Sequence, residues 1–168
     1  MLAVRLNSLN LSRVIQMKPE APNQMLSTAI LGIWRLKSRV DLDANGSVHI
    51  DPFLGRDPIA VICFGRGHFA AQFMKRDRSQ LENVPQAVQV KNNTAPVNGY
   101  DAYFGTYTTD ENAGTITTLI EGSISPDNIG KTFVRSARVT GNDLIIQLET
   151  TTIDGTAVTR TNTFSRVG

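Results

Sequence analysis

A single cysteine, Cys63, rules out a disulfide within the chain. The chain also opens without a signal-peptide pattern, and together these favour a reducing, cytoplasmic setting. The two histidines lie far from each other and from Cys63 in sequence, which makes no metal set, and no cofactor is expected. Neither charge sign is in excess: 17 Lys and Arg stand against 15 Asp and Glu, a formal charge of +2. The basic residues are spread along the chain rather than clustered among aromatics, which argues against a nucleic-acid partner. No apolar run nears the roughly 20 residues that a membrane-spanning helix requires. No Gly-x-Ser-x-Gly nucleophile elbow occurs. Gly65-Arg66-Gly67 leads into a strand-like segment, so it reads as a hairpin and not as a phosphate cradle. The Asn45-Gly46-Ser47 and Asn92-Asn93-Thr94 sequons mean little without secretion.

What is present suits one globular domain. At 168 residues, 40% apolar and 19% charged, the chain is long enough to bury a core and too apolar to be disordered. Residues 1–23 stand apart as an extension, helical or disordered. Met1 to Gln16 holds Arg5 and Arg13, no acid, and leucines spaced for one helical face. It superficially resembles an organellar presequence; a helix packed outside the domain, or sequence ahead of a start at Met17, are the plainer readings. Lys18 to Asn23, with Pro19 and Pro22, reads as a linker.

Residues 24–168 form the expected domain. Gln24 to Leu31 allows one or two helical turns, with Met25, Ala29 and Ile30 facing the barrel. Strands are expected at about 32–42, 47–50, 59–64 and 68–74, then 100–108, 115–121, 132–139, 144–151 and 156–166. Asn45-Gly46, Gly141-Asn142 and Asp154-Gly155 supply tight turns. Ile59 to Phe64 is apolar throughout, as in a strand covered on both faces, with Cys63 an inert buried thiol. Residues 79–93 are polar and read as a helical excursion between strands four and five, placed as a lid would be. Short strands at this spacing argue for an all-β, up-and-down antiparallel barrel or a sandwich.

Several blocks, in order, resemble the bacterial and fungal lipocalin-like domain family, a group within the calycin barrels. They are Leu31-Gly32-Ile33-Trp34-Arg35-Leu36, Gly67-His68-Phe69 with Gln72-Phe73-Met74, Gly99-Tyr100 to Tyr107, Gly114 to Thr117, Ile120-Glu121-Gly122-Ser123, Val134-Arg135, and Ser165-Arg166-Val167. The resemblance covers about residues 31–168. It implies a closed barrel in which Trp34 on the first strand and Arg166 on the last plug the base. It carries fold better than function, since relatives include small-molecule binders and cyclases or isomerases. Where relatives often place a His pair, this chain has Thr118 and Leu119, which weakens a carry-over of acid–base chemistry.

Candidate site residues follow from strand alternation. Glu121, with Tyr103 or Tyr107, forms the candidate catalytic acid–base set: an inward carboxylate would be desolvated and its pKa raised. A salt bridge from Glu121 to Arg135 is the structural alternative. Trp34, Gln72, Met74, Tyr103, Tyr107 and Arg135 are the candidate ligand-binding residues, and His68 reads as a solvated turn residue. The function expected first is binding of a small, mostly hydrophobic molecule in the barrel. The alternative is a cofactor-free cyclase, isomerase or lyase; a filled barrel with a purely structural role is the third reading. The sequence leaves open the ligand, the lumen-facing side of each strand, and a homodimer.

Overall fold

The computed structural model describes residues 24–79 and 91–168. The extension 1–23 and residues 80–90 of the helical excursion lie outside the described residues; residues 91–93 form a turn and bend. One helical turn, α1 (Leu26–Ala29), precedes nine strands: β1 (Gly32–Leu42), β2 (Val48–His49), β3 (Ile59–Phe64), β4 (His68–Met74), β5 (Tyr100–Asp110), β6 (Thr115–Ser123), β7 (Thr132–Thr140), β8 (Asp143–Thr151) and β9 (Ala157–Arg166). β1 pairs with both β2 and β3, each strand from β3 on pairs with the next, all antiparallel, and β1 also pairs with β9 from Trp34↔Arg166 to Leu42↔Thr159. That last ladder closes eight strands into an up-and-down barrel, with β2 a short flap on β1. Closure removes the edge strands that an open sheet would expose.

Hairpin chemistry explains the turns. Gly46, Gly67, Gly114, Gly141 and Gly155 all hold positive φ, where an L side chain is strained. Alternation then fills the barrel. Trp34 and Leu36, Ala60, Ile62 and Phe64, Phe69, Ala71 and Phe73, Ile116 and Ile120, Leu144 and Ile146, and Phe164 all lie on the inner side and pack as one core. Two departures from alternation matter. Between Leu36 and Ser38 the β1–β9 register shifts, leaving Lys37 as an extra residue. Inward positions therefore change from even numbers (Trp34, Leu36) to odd ones (Arg39, Asp41). Between Phe104 and Gly105 the β5–β6 register also shifts, with Glu121 the extra residue.

The floor is plugged as the sequence implied. Trp34 is fully buried, its Nε1–H donates to Ile30 O at 2.7 Å, and the Arg166 guanidinium lies 4.1 Å from its ring centroid. Arg166 also donates to Leu31 O at 2.6 Å and Ala29 O at 2.7 Å, which seats α1 beneath the barrel. The Glu111 carboxylate caps that turn by accepting from the backbone N–H of Leu26 and Ser27. Three details correct the sequence reading. Leu26, not Met25, turns inward from α1, and Met25 is exposed. β3 is covered on one face only, because Ala60, Ile62 and Phe64 point in while Ile59 is exposed. Cys63 sits on the outer side of that strand and is half-buried.

Candidate functional site

The barrel has two chemically distinct halves. Below, around Trp34, the lumen is solid with aliphatic and aromatic side chains. Above, it turns polar. The shift at Lys37 swings Arg39 and Asp41 inward, and β9 brings Arg160 opposite Asp41 by direct pairing. Arg160 donates to Asp41 through Nε at 2.9 Å and Nη2 at 2.7 Å, a bidentate pair. Asp51, on the loop after β2, completes a four-residue ring. It pairs with Arg39, stands 3.4 Å from Arg160, and accepts the backbone N–H groups of Phe53 and Leu54 at 2.8 and 2.9 Å. Burial opposes the Asp51 charge, but Arg39 and Arg160 outweigh it, so its pKa is lowered. Burial in turn lowers the pKa of Arg39.

Two further charged side chains complete the upper lumen without such pairing. Asp101 on β5 is 3% exposed. Its Oδ2 accepts a hydrogen bond from the Thr94 hydroxyl, while Oδ1 has no hydrogen-bond partner among the described residues. Burial pushes its carboxyl up to about 6, against the opposing pull of Thr94, Arg39 and Arg135. Arg135 on β7 is 8% exposed; it donates to Thr118 Oγ1 at 3.2 Å and lies over the Phe133 ring. It forms no ion pair among the described residues. Asp101 and Arg135 both line a cavity of about 30 Å³, with Tyr103, Asn162, Leu148 and Phe73 among its walls. By volume it accommodates about two or three water molecules. Among the described residues, then, the lumen is not a wide apolar cup.

The structure sorts the sequence candidates by side of the wall. Tyr103, Tyr107 and Arg135 point inward, and Asp101 and Gly105 share the face of the two tyrosines. Tyr103 lies beside the upper cavity, hydrogen-bonded with Thr94, and burial raises its phenol pKa. Tyr107 sits lower, donating to Gly65 O at 2.9 Å and meeting Phe64 edge-on, so the two phenols do not converge. Trp34 is in the floor, outside the cavity lining. Gln72 and Met74 are on the outer side of β4, where Gln72 Oε1 accepts from Tyr100 OH at 3.0 Å. Glu121 is exposed at the β5–β6 bulge, on the outer surface. Neither the inward carboxylate nor the Glu121–Arg135 salt bridge is formed, because the barrel wall separates them. His68 is exposed beside its turn, with Nδ1 3.2 Å from Arg66 O.

Sequence reasoning missed Arg39, Asp41, Asp51, Thr94, Asp101 and Arg160. For Asp41 and Arg160 the signal was there only in the pairing register, which a one-residue bulge sets. Among the described residues no His, Cys, Asp and Glu group is arranged to hold a metal, and no helix is long and apolar enough to cross a membrane.

A family model described as a lipocalin-like domain matches residues 31–165, the whole barrel from β1 to β9. No curated protein matches the chain.

Proposed function

Because the chain belongs to the lipocalin-like domain family, we propose that its barrel binds a small molecule with a polar head and a mostly apolar body. The head enters the upper lumen and the body lies toward the mouth, against Leu54, Leu148 and Pro96. One observation carries this reading. Among the described residues, Asp101 Oδ1 on β5, buried without a hydrogen-bond partner, and the buried Arg135 guanidinium on β7, bonded to Thr118 but in no ion pair, line one cavity without satisfying each other. Buried polar groups left unsatisfied are expensive, on the order of 1–3 kcal/mol each, so a ligand that satisfies them gains from its polar contacts. The lone, unpaired cysteine supports a cytoplasmic setting for this activity. The test is native mass spectrometry after incubating the purified protein with cell extract. A bound small molecule that is lost in Arg135→Gln is expected; no bound species in the parent protein would end the proposal.

Acid–base catalysis is the second reading, now on Asp101 rather than Glu121. A carboxyl with a pKa of about 6 exchanges its proton near neutrality. Tyr103 and Arg135 stand at the same cavity and could hold an oxyanion. Here Asp101→Asn should abolish conversion even at concentrations of the captured molecule that saturate the variant. Conversion at the parent rate in that variant would rule Asp101 out.

A further inference from the structure

The charges of the upper lumen restrict what kind of head group can enter. Arg39 and Arg160 are closed upon Asp41 and Asp51 in the four-residue ring. Arg135 and Asp101 remain, one cation and one anion, too far apart to pair and facing the same cavity. With all six groups ionised the upper lumen is neutral. A carboxylate head would satisfy Arg135 but leave a surplus negative charge beside Asp101, and an ammonium head would do the reverse beside Arg135. Uncompensated charge buried away from water is strongly penalised. A neutral group with one acceptor and one donor meets both residues and adds no charge. The volume agrees: a cavity of about 30 Å³ suits a head that takes the place of two water-sized polar contacts.

Resting on the binding reading above, we propose that the upper lumen recognises an uncharged head of the carboxamide or lactam class, whose carbonyl oxygen accepts from Arg135 and whose N–H donates to Asp101 Oδ1. An alkyl or aryl body would leave past Leu54, Phe73 and Leu148. The groups facing Asp101 are Thr94 from the loop before β5, Tyr103 from its own strand, Arg39 from β1, Arg135 from β7 and Asp51 from the loop after β2. Arg160 and Asn162 of β9 line the same cavity. Selectivity for the neutral head therefore depends on the Asp101 charge. It holds above the range in which that carboxyl gains its proton, about 6, and fades below it.

The test compares hexanamide, hexanoate and hexan-1-ol by saturation-transfer NMR on the full chain. At about pH 8, hexanamide should bind at least about tenfold tighter than hexanoate, and tighter than hexan-1-ol. Lowering the pH to about 5.5 should narrow the amide-to-carboxylate ratio several-fold, as Asp101 is neutralised. In Asp101→Asn the order should invert, because the variant lumen carries a net positive charge and presents an N–H where an acceptor stood. The pH series on the parent protein keeps the proposal testable if that variant does not fold. Hexanoate binding as tightly as hexanamide at the higher pH overturns it, as does hexan-1-ol matching the amide. If none of the three binds but extract capture yields a bound molecule, the head-group assignment fails and the binding reading survives. If capture fails as well, both fall.

Discussion

Asp101 is the residue on which stability and chemistry meet. Its carboxyl is lifted from 3.8 to about 6, so the native protein holds this proton more tightly than the unfolded chain does. Stability contributed by the neutral form is therefore present at low pH and lost as pH rises through about 4 to 6, and the penalty is constant above that. A shift of this size corresponds to up to roughly 3 kcal/mol. In the absence of ligand, Asp101→Asn should unfold at higher denaturant than the parent at neutral pH, by about 1–3 kcal/mol. The gain should vanish near pH 4. An equal gain at both pH values would mean that the Asp101 charge is not the cause. At the floor, Arg166→Ala removes a cation–π contact and leaves the Ala29 and Leu31 carbonyls unpaired, an expected loss of about 2–4 kcal/mol. Trp34 fluorescence during denaturation reports it directly. The Trp34–Arg166 pair could be read from sequence because Trp34 is the chain's one tryptophan and both residues lie in blocks that carry the family resemblance. Asp101 could not, since nothing local distinguishes it from a strand-end aspartate; its burial comes from Thr94 and from three strands distant in sequence.

Among elements, the strands and their turns were legible, because each hairpin carries its own glycine and each strand its own alternation. What alternation could not supply was its absolute phase. In β6, Ile116, Thr118 and Ile120 face in, so Glu121 had to face out, and the bulge at Phe104–Gly105 fixes it there. Gly105 is what lets that bulge close: a Cβ at this position would come 1.9 Å from Leu119 O. Gly105→Ala should therefore force the β5–β6 backbones apart and destabilise the barrel by about 2 kcal/mol or more, seen as a fall in melting temperature. An unchanged melting temperature would refute the close approach. Another seam is open by construction. β7 and β8 pair from Ser136↔Gln147 to Thr140↔Asp143 and then part, leaving a groove of about 550 Å³ along Phe133, Val134 and Glu149. Lys91 and Asn92 tie into it through Thr150 Oγ1 and Glu149 O. Amides of 148–151 that point toward β7 should exchange with solvent faster than those of 143–147.

On the scale of the whole molecule, the ladder between β1 and β9 is what makes a barrel of a sheet, and three of the four members of the charged ring, Arg39, Asp41 and Arg160, sit on that ladder, with Asp51 reaching them from the loop after β2. Removing one member leaves uncompensated charge in the interior. Arg160→Met should cost about 3–5 kcal/mol, and because the ring is buried the loss should change little between low and high salt. A loss that disappears in high salt would identify the ring as a surface feature. Family membership and architecture were recoverable from ordered sequence blocks spread over most of the chain. The polar interior was not, because it is assembled from β1, β5, β7, β9 and two loops, and no single segment announces it.

Lys37 makes a last point. As the one surplus residue in β1, it alone decides which side of that strand looks inward beyond it. With Trp34 anchored in the floor, deleting one residue there would carry Arg39 and Asp41 to the outside and turn Val40 and Leu42, both partly exposed, toward the interior. Two interiors, one salted and one oily, thus lie a single codon apart on the same scaffold. A fold of this kind can change what it prefers to hold by an insertion or deletion, a coarser and faster route than replacing lumen residues one at a time.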